Sequence, residues 1–397
     1  MSVLNRRRLL KLGTWGGAVG GALAGLPVGW TPLHAAQGAA AATSHDPAAD
    51  RTVRLTGDGL GLTPAQYAHV LAGLADRGIV SDSYILGGVV EELEARMAKL
   101  LGKERAIFMP TGTLANNLAI RALAGGTGRA AVQAESHIYL DSGDCVQTLS
   151  HVTLMPLAEG RATFTAADLQ RLLDENRTGR VATPVRVVSI ESPVRRMRGQ
   201  VFAAADRDAV IAMARREGIR LHLDGARLFL ESAYARKNVA QYTEPFDTVY
   251  VSLYKYFNAS FGAILAGPRD LLDGMYHARR MFGGGLSEAW TSAAVALHFL
   301  DGFEDRYRRA VDVSEDLARR LSALPRFSVA REPSGTNLMR VTVQTPDAQA
   351  FRQRLAARGV LLGAPGPGGV FLVATNETLN RAPAGQVADA FTQALSA

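Results

Sequence analysis

One short run constrains this chain more than any other. Arg220-Leu221-His222-Leu223-Asp224-Gly225-Ala226-Arg227 reads as a buried strand over Arg220 to Leu223 that ends on the carboxylate of Asp224. In α/β sheets ligands bind beyond the carboxyl ends of the strands, so Asp224 is expected to point at whatever is bound. A second apolar run, Asp247-Thr248-Val249-Tyr250-Val251-Ser252, predicts another strand and delivers Lys255 just past its end. An amine and a carboxylate on neighbouring strand ends suit a cofactor that carries an aldehyde and a basic ring nitrogen. The amine condenses with the aldehyde, and the carboxylate keeps the ring nitrogen protonated, which turns the ring into an electron sink. Each residue alone also has a plain reading: Asp-Gly after a strand is a common turn, and a single lysine is usually solvated.

A third element tips the balance. Arg105-Ala106-Ile107-Phe108-Met109-Pro110 predicts a strand with a proline stop, Thr111-Gly112-Thr113 a small-residue turn, and Leu114 to Arg121 a helix. A strand, a small turn and a helix start make an anion site. Free backbone N–H groups and the positive helix end face the ligand, Gly112 permits close approach, and the Thr111 and Thr113 hydroxyls add donors. The same two threonines would also serve as ordinary helix caps.

Together these segments resemble the threonine aldolase and aromatic amino acid β-eliminating lyase family of fold-type I pyridoxal-phosphate enzymes. The resemblance runs from about Asp58 to Asn380. It rests on Leu93-Glu94, the Gly-Lys-Glu at 102–104, Thr111-Gly112-Thr113 with Ala115-Asn116, Ser136-His137, Ile190-Glu191, the Asp224 segment, Lys255 and Gly283-Gly284-Gly285. It implies an α/β fold, with a large, mostly parallel sheet covered by helices on both faces and a small C-terminal α/β domain. The expected boundaries are an export signal over 1–42, an N-terminal arm over 43–62, a large cofactor domain over 63–292 and a small domain over 293–397.

The resemblance also implies the chemistry. Pyridoxal 5'-phosphate is held by Thr111, Gly112, Thr113, His137, Asp224, Arg227, Ser252 and Lys255. Lys255, His137 and Asp224 are catalytic, with the His137 ring flat on the cofactor. The substrate lies near Arg227 and Tyr84, with Arg195 offered by this chain's own sequence, and Tyr84 reaches the site of a neighbouring subunit in a homodimer or homotetramer. No metal is expected. The reaction implied is retro-aldol cleavage of threonine or a related 3-hydroxy amino acid to glycine and an aldehyde. The alternatives are β-elimination, transamination or racemisation on the same cofactor, and a pyridoxal-phosphate-binding protein without activity.

Three departures from the family pattern bear on the substrate. Val194 stands where the family carries a histidine, and it is followed by Arg195, Arg196 and Arg198. Bulky Tyr254, Tyr256 and Phe257 surround Lys255 and are expected to wall the pocket. Phe371 stands where the family has an arginine for the substrate carboxylate, so a bidentate pair of hydrogen bonds is lost. An arginine restored at 371 is therefore expected to raise activity on threonine, with Arg195, Arg196 or Arg198 as substitutes in its absence. Arg279 to Gly285 reads as a basic, flexible turn available to phosphate or substrate.

The N-terminus speaks to compartment. Arg6-Arg7-Arg8-Leu9-Leu10-Lys11, then a Gly- and Ala-rich apolar stretch and small residues over Ala35 to Ala42, fit a twin-arginine signal that exports folded protein to the periplasm. A cofactor loaded before export would travel with it. Removing Arg6, Arg7, Arg8 and Lys11 lowers the formal charge from +7 to +3. No basic run with interleaved aromatics remains, so nucleic-acid binding has no support. The single Cys145 excludes an internal disulfide. Asp46 to Arg54 reads as a disordered arm, and Thr63-Pro64 as a helix start.

Overall fold

The computed structural model describes residues 46–395. The signal expected over 1–42 lies outside them. Twelve strands are present: β1 (Val53–Arg54), β2 (Arg105–Met109), β3 (Arg129–Gln133), β4 (Thr153–Leu157), β5 (Val185–Glu191), β6 (Arg220–Asp224), β7 (Thr248–Ser252), β8 (Ala263–Gly267), β9 (Phe327–Arg331), β10 (Leu338–Val343), β11 (Val360–Leu361) and β12 (Val370–Ala374). Seven form one sheet in the order β2-β8-β7-β6-β5-β3-β4. Only β8 runs against its neighbours. Successive side chains on a strand point to opposite faces, and here both faces are apolar. On β2, Ala106 and Phe108 join one core while Ile107 and Met109 join another; on β7, Val249 and Val251 divide from Tyr250 in the same way. Helices cover both faces, as a parallel sheet requires.

The register of this sheet sets up the site. Glu191 pairs with Asp224, and Asp224 pairs with Tyr250. The ends of β5 and β6 are therefore level, β7 runs on to Ser252, and the loops that carry His137, Lys255 and Arg227 leave from that edge.

The N-terminal segment is ordered, contrary to the sequence expectation. Val53 and Leu55 are buried in a second core, and β1 lies parallel to β11. Thr63 caps helix Pro64–Ala75 in a reciprocal pair of bonds with Gln66. Gln66 also donates to buried Asp50 at 3.2 Å, and Arg381 approaches the same carboxylate oxygen at 3.1 Å. Burial opposes the charge of Asp50, but bonds from Thr52, Gln66 and Arg381 outweigh it and hold the carboxyl below its usual range.

The second sheet, β12-β10-β9, is antiparallel and half-buried, with helices on one side. On β12 the alternation turns Phe371 inward. It is 0 % exposed, its ring 5.8 Å from Phe351, and it belongs to the core of this sheet and not to any pocket wall. The stretch expected as a flexible turn is also firm. Arg279 and Arg280 lie in helix Met275–Met281, and Arg279, 1 % exposed, donates from Nη1 to the Phe108 carbonyl at 2.6 Å. Tyr256 and Phe257 do not line the site either: both are sealed in an aromatic cluster with Phe229 and Phe303.

Two outcomes follow from these contacts. Phe371→Arg places an unpaired charge in a packed core and lowers unfolding free energy by about 3–5 kcal/mol, measured by denaturant melts; the gain in threonine activity expected from the sequence does not appear. Asp50→Asn lowers stability at pH 7 by about 2 kcal/mol. A lowered carboxylate pKa contributes stability above the usual value and loses it as pH falls through the folded value. The gap between Asp50→Asn and the parent therefore closes in melts run below pH 3.8.

Candidate functional site

The segment expected from the sequence to cradle a phosphate is a helix start. Helix Gly112–Ala124 follows β2 directly, and the Thr111 hydroxyl accepts the N–H of Leu114. The first N–H groups of the helix, at Gly112 and Thr113, have no helical acceptor. The cap uses a lone pair of the Thr111 oxygen and leaves its proton free to donate. A Cβ added at Gly112 would sit 2.0 Å from the Tyr250 hydroxyl, so only glycine fits there. Ser252, at the end of β7, is buried and its Oγ has no hydrogen-bond partner among the described residues. An orphaned hydroxyl is costly unless a ligand satisfies it.

Asp224 ends β6 as expected. Its Oδ2 accepts from Asn116 Nδ2 at 2.6 Å and its Oδ1 from the Ala226 N–H at 3.1 Å. Behind it, buried His222 contacts Asn116 Oδ1 through Nε2 at 2.9 Å and Thr248 Oγ1 through Nδ1 at 2.8 Å.

Lys255 is partly buried, its Nζ 4.8 Å from the Tyr254 ring centroid and 6.0 Å from that of Tyr250. Burial, then the positive Arg227, pull its amine down to about 8, against the opposing charges of Asp224, Asp58 and Glu191. A larger neutral fraction at pH 7 makes a better nucleophile.

His137 opens a short helix, His137–Leu140, and its backbone N–H donates to Glu191 Oε2 at 2.6 Å. Its Nδ1 lies 3.2 Å from Ser142 Oγ. Burial lowers its pKa, partly offset by Asp224. Glu191 accepts a second N–H, from Arg195, at 2.9 Å. Burial first, and then the charge of Asp224, push this carboxyl up to about 7.

Arg227 is not free. Asp58 pairs with it at 2.8 Å and 3.0 Å, and Asn337 donates to the other Asp58 oxygen at 3.0 Å. The loop around Asp58 presses on the lysine loop: a Cβ at Gly59 would lie 2.4 Å from the Lys255 carbonyl oxygen. Among the three arginines offered as carboxylate contacts, Arg196 is held by Asp141 and Arg198 by Glu332. Arg195 is exposed, its charge is felt at His137, and it has no ion pair among the described residues. Tyr84 contacts Arg280 and Ser287. It is half-exposed in the left-handed region at φ 53°, its N–H bound to the Ser287 carbonyl and its ring 5.2 Å from the Arg280 guanidinium.

The structure thus gathers Lys255, Asp224, His137, Arg227, Gly112, Thr113 and Ser252 at one sheet edge. It adds Asn116, Glu191 and Asp58, whose roles the sequence reading left unassigned. Asn116 and Glu191 stood in recognised motifs; Asp58 had only its flanking glycines, Gly57 and Gly59, to mark a tight loop. Replacing Arg227 with Gln removes the positive neighbour of Lys255. The pH midpoint for labelling of Lys255 by an amine-directed reagent, near 8 in the parent, is expected to move upward.

Comparisons with known proteins agree with this geometry. A family model described as beta-eliminating lyase matches residues 81–344. A low-specificity L-threonine aldolase from Candida albicans is 28 % identical over 212 residues, which are 53 % of this chain and 56 % of that protein. The chain thus spans a little over half the length of that relative. Among solved structures, a Listeria monocytogenes protein provisionally named an L-allo-threonine aldolase gives a TM-score of 0.72 at 26 % identity, covering 87 % of this chain and 96 % of the other. A serine palmitoyltransferase from S. paucimobilis, solved with pyridoxal phosphate bound, shares the fold alone, with a TM-score of 0.60 at 18 % identity over 86 % of each chain.

Proposed function

The chain belongs to the beta-eliminating lyase family, and from that premise we propose that it is a pyridoxal-phosphate-dependent carbon–carbon lyase cleaving threonine or a related 3-hydroxy amino acid to glycine and an aldehyde. The observation that carries this reading is the pairing at one sheet edge of a partly buried, low-pKa Lys255 with an Asp224 locked by Asn116.

The residues present fit the cofactor. The open N–H groups at Gly112 and Thr113 and the orphaned Ser252 hydroxyl suit a phosphate. Lys255 would hold the aldehyde carbon, Asp224 the ring nitrogen and His137 the ring face. When bound, the cofactor supplies an electron sink for a bond broken at the substrate α-carbon.

The protein's own groups do the rest. The Asp224 carboxylate would keep a proton on the cofactor's ring nitrogen. His137, its pKa lowered by burial, is neutral near pH 7 and accepts the β-hydroxyl proton at a ring nitrogen, directly or through water. Arg227 and the unpaired Arg195 orient the substrate carboxylate. Because Asp58 already engages Arg227, the substrate carboxylate meets a shared guanidinium, and this favours β-elimination, transamination or racemisation as a second reading: which bond breaks depends on how that carboxylate is held.

The twin-arginine pattern at Arg6-Arg7 supports export to the periplasm in folded form. The half-exposed Tyr84 is consistent with a homodimer or homotetramer that completes its surroundings from a second subunit.

Purified protein given threonine is expected to release acetaldehyde and glycine. Lys255→Ala abolishes this together with the yellow colour of bound cofactor. His137→Phe keeps the colour and lowers kcat by about 10²–10⁴-fold. Pyruvate and ammonia from serine, with no aldehyde from threonine, would select elimination. Colourless protein that cannot take up the cofactor would end both readings.

A further inference from the structure

Three side chains behind Asp224 are buried and polar: Asn116, His222 and Thr248. They lie in line with Asp224, at 2.6 Å, 2.9 Å and 2.8 Å from one to the next. We infer that Thr248, His222 and Asn116 form a one-way hydrogen-bond relay that fixes the orientation of Asp224, which makes Thr248, at the opposite end of the strand pair, a positioning residue for the active site.

The direction of each bond follows from donor and acceptor inventories. Asp224 accepts one N–H on each oxygen, from Asn116 and from Ala226. The reverse orientation of the Asn116 amide would set two oxygens 2.6 Å apart. Asn116 Oδ1 therefore faces His222 Nε2, and an amide oxygen only accepts, so Nε2 carries the ring proton. The ring is fully buried, and burial pushes its pKa down to about 4, so it is neutral and Nδ1 is an acceptor. Thr248 Oγ1 then donates to Nδ1. The chain of donation runs from Thr248 to His222 to Asn116 to Asp224, with no member free to turn round.

The relay has a purpose that a single Asn–Asp bond lacks. An amide alone rotates by half a turn at little cost in shape and would then present its oxygen to the carboxylate. His222 Nε2–H blocks that rotation by demanding an acceptor, and Thr248 fixes which ring nitrogen bears the proton. The Asp224 carboxylate is held with one donor per oxygen and keeps its remaining lone pairs for the site. The strand register supports the arrangement, because His222 pairs directly with Thr248 across β6 and β7.

This inference rests on the proposed role of Asp224, and its test separates the two. In full-length protein carrying ¹⁵N-histidine, the His222 resonances at pH 7.5 are expected to show a neutral ring with the proton on Nε2. Thr248→Val should shift the Nδ1 resonance toward that of an unbonded nitrogen, and lower kcat on threonine about fivefold with KM unchanged, the effect of one lost buried hydrogen bond. Thr248→Ser should restore both. A proton on Nδ1 in the parent protein, or a Thr248→Val protein with parental kcat and an unmoved Nδ1 resonance, would overturn the relay. If Thr248→Val does not fold, the parental tautomer and the Thr248→Ser protein decide. An Nε2–H ring in a protein that cleaves no hydroxy amino acid would remove the aldolase reading and leave the relay standing.

Discussion

Burying a carboxylate at the end of a parallel strand costs several kcal/mol unless donors meet it, and the arrangement of this molecule is organised around meeting that demand at Asp224. Helix Gly112–Ala124 is set so that the N–H groups of its first turn are left without helical acceptors and its second turn, at Asn116, reaches the carboxylate. The seven-stranded sheet keeps the acid in place by register, with Glu191 on one side and Tyr250 on the other.

That crowding explains the titration behaviour of the neighbours. Glu191 is pushed up because it sits beside another negative group in a buried place, and its two N–H donors do not fully compensate. Lys255 is pulled down because it lacks water and faces Arg227, even with three carboxylates around it. Opposite shifts in an acid and a base at one edge are the pattern expected of groups that exchange protons.

Much of this could be read from the chain alone, for identifiable reasons. Strands with apolar runs announced themselves, and Asp224 and Lys255 stood where such strands stop. What could not be read depended on facing and on distant pairing. Phe371 is expected to stand at a family arginine position, yet the direction of its side chain is decided by the alternation of β12 against β10, which spacing does not reveal. Arg279 reads as part of a flexible basic turn, yet helix Met275–Met281 turns it under the Phe108 carbonyl. The Asp58–Arg227 pair joins residues 169 apart in sequence, and no local pattern links them. The N-terminal segment looked too polar to fold, but only Val53 and Leu55 needed burial, and its polar groups found partners at Gln66 and Arg381.

The loop at Asp58 also acts as a clasp. It touches Arg227 beyond β6, Asn337 just before β10 and, through Gly59, the backbone of Lys255. The chain therefore enters the catalytic edge before it has built any strand of the main sheet, and closes that edge only when the residues on either side of 337 have arrived. Proteolytic nicking between Asp50 and Leu60 would loosen that edge while sparing Lys255, Asp224 and His137, and a fusion partner placed ahead of this segment needs a linker long enough to let the clasp shut.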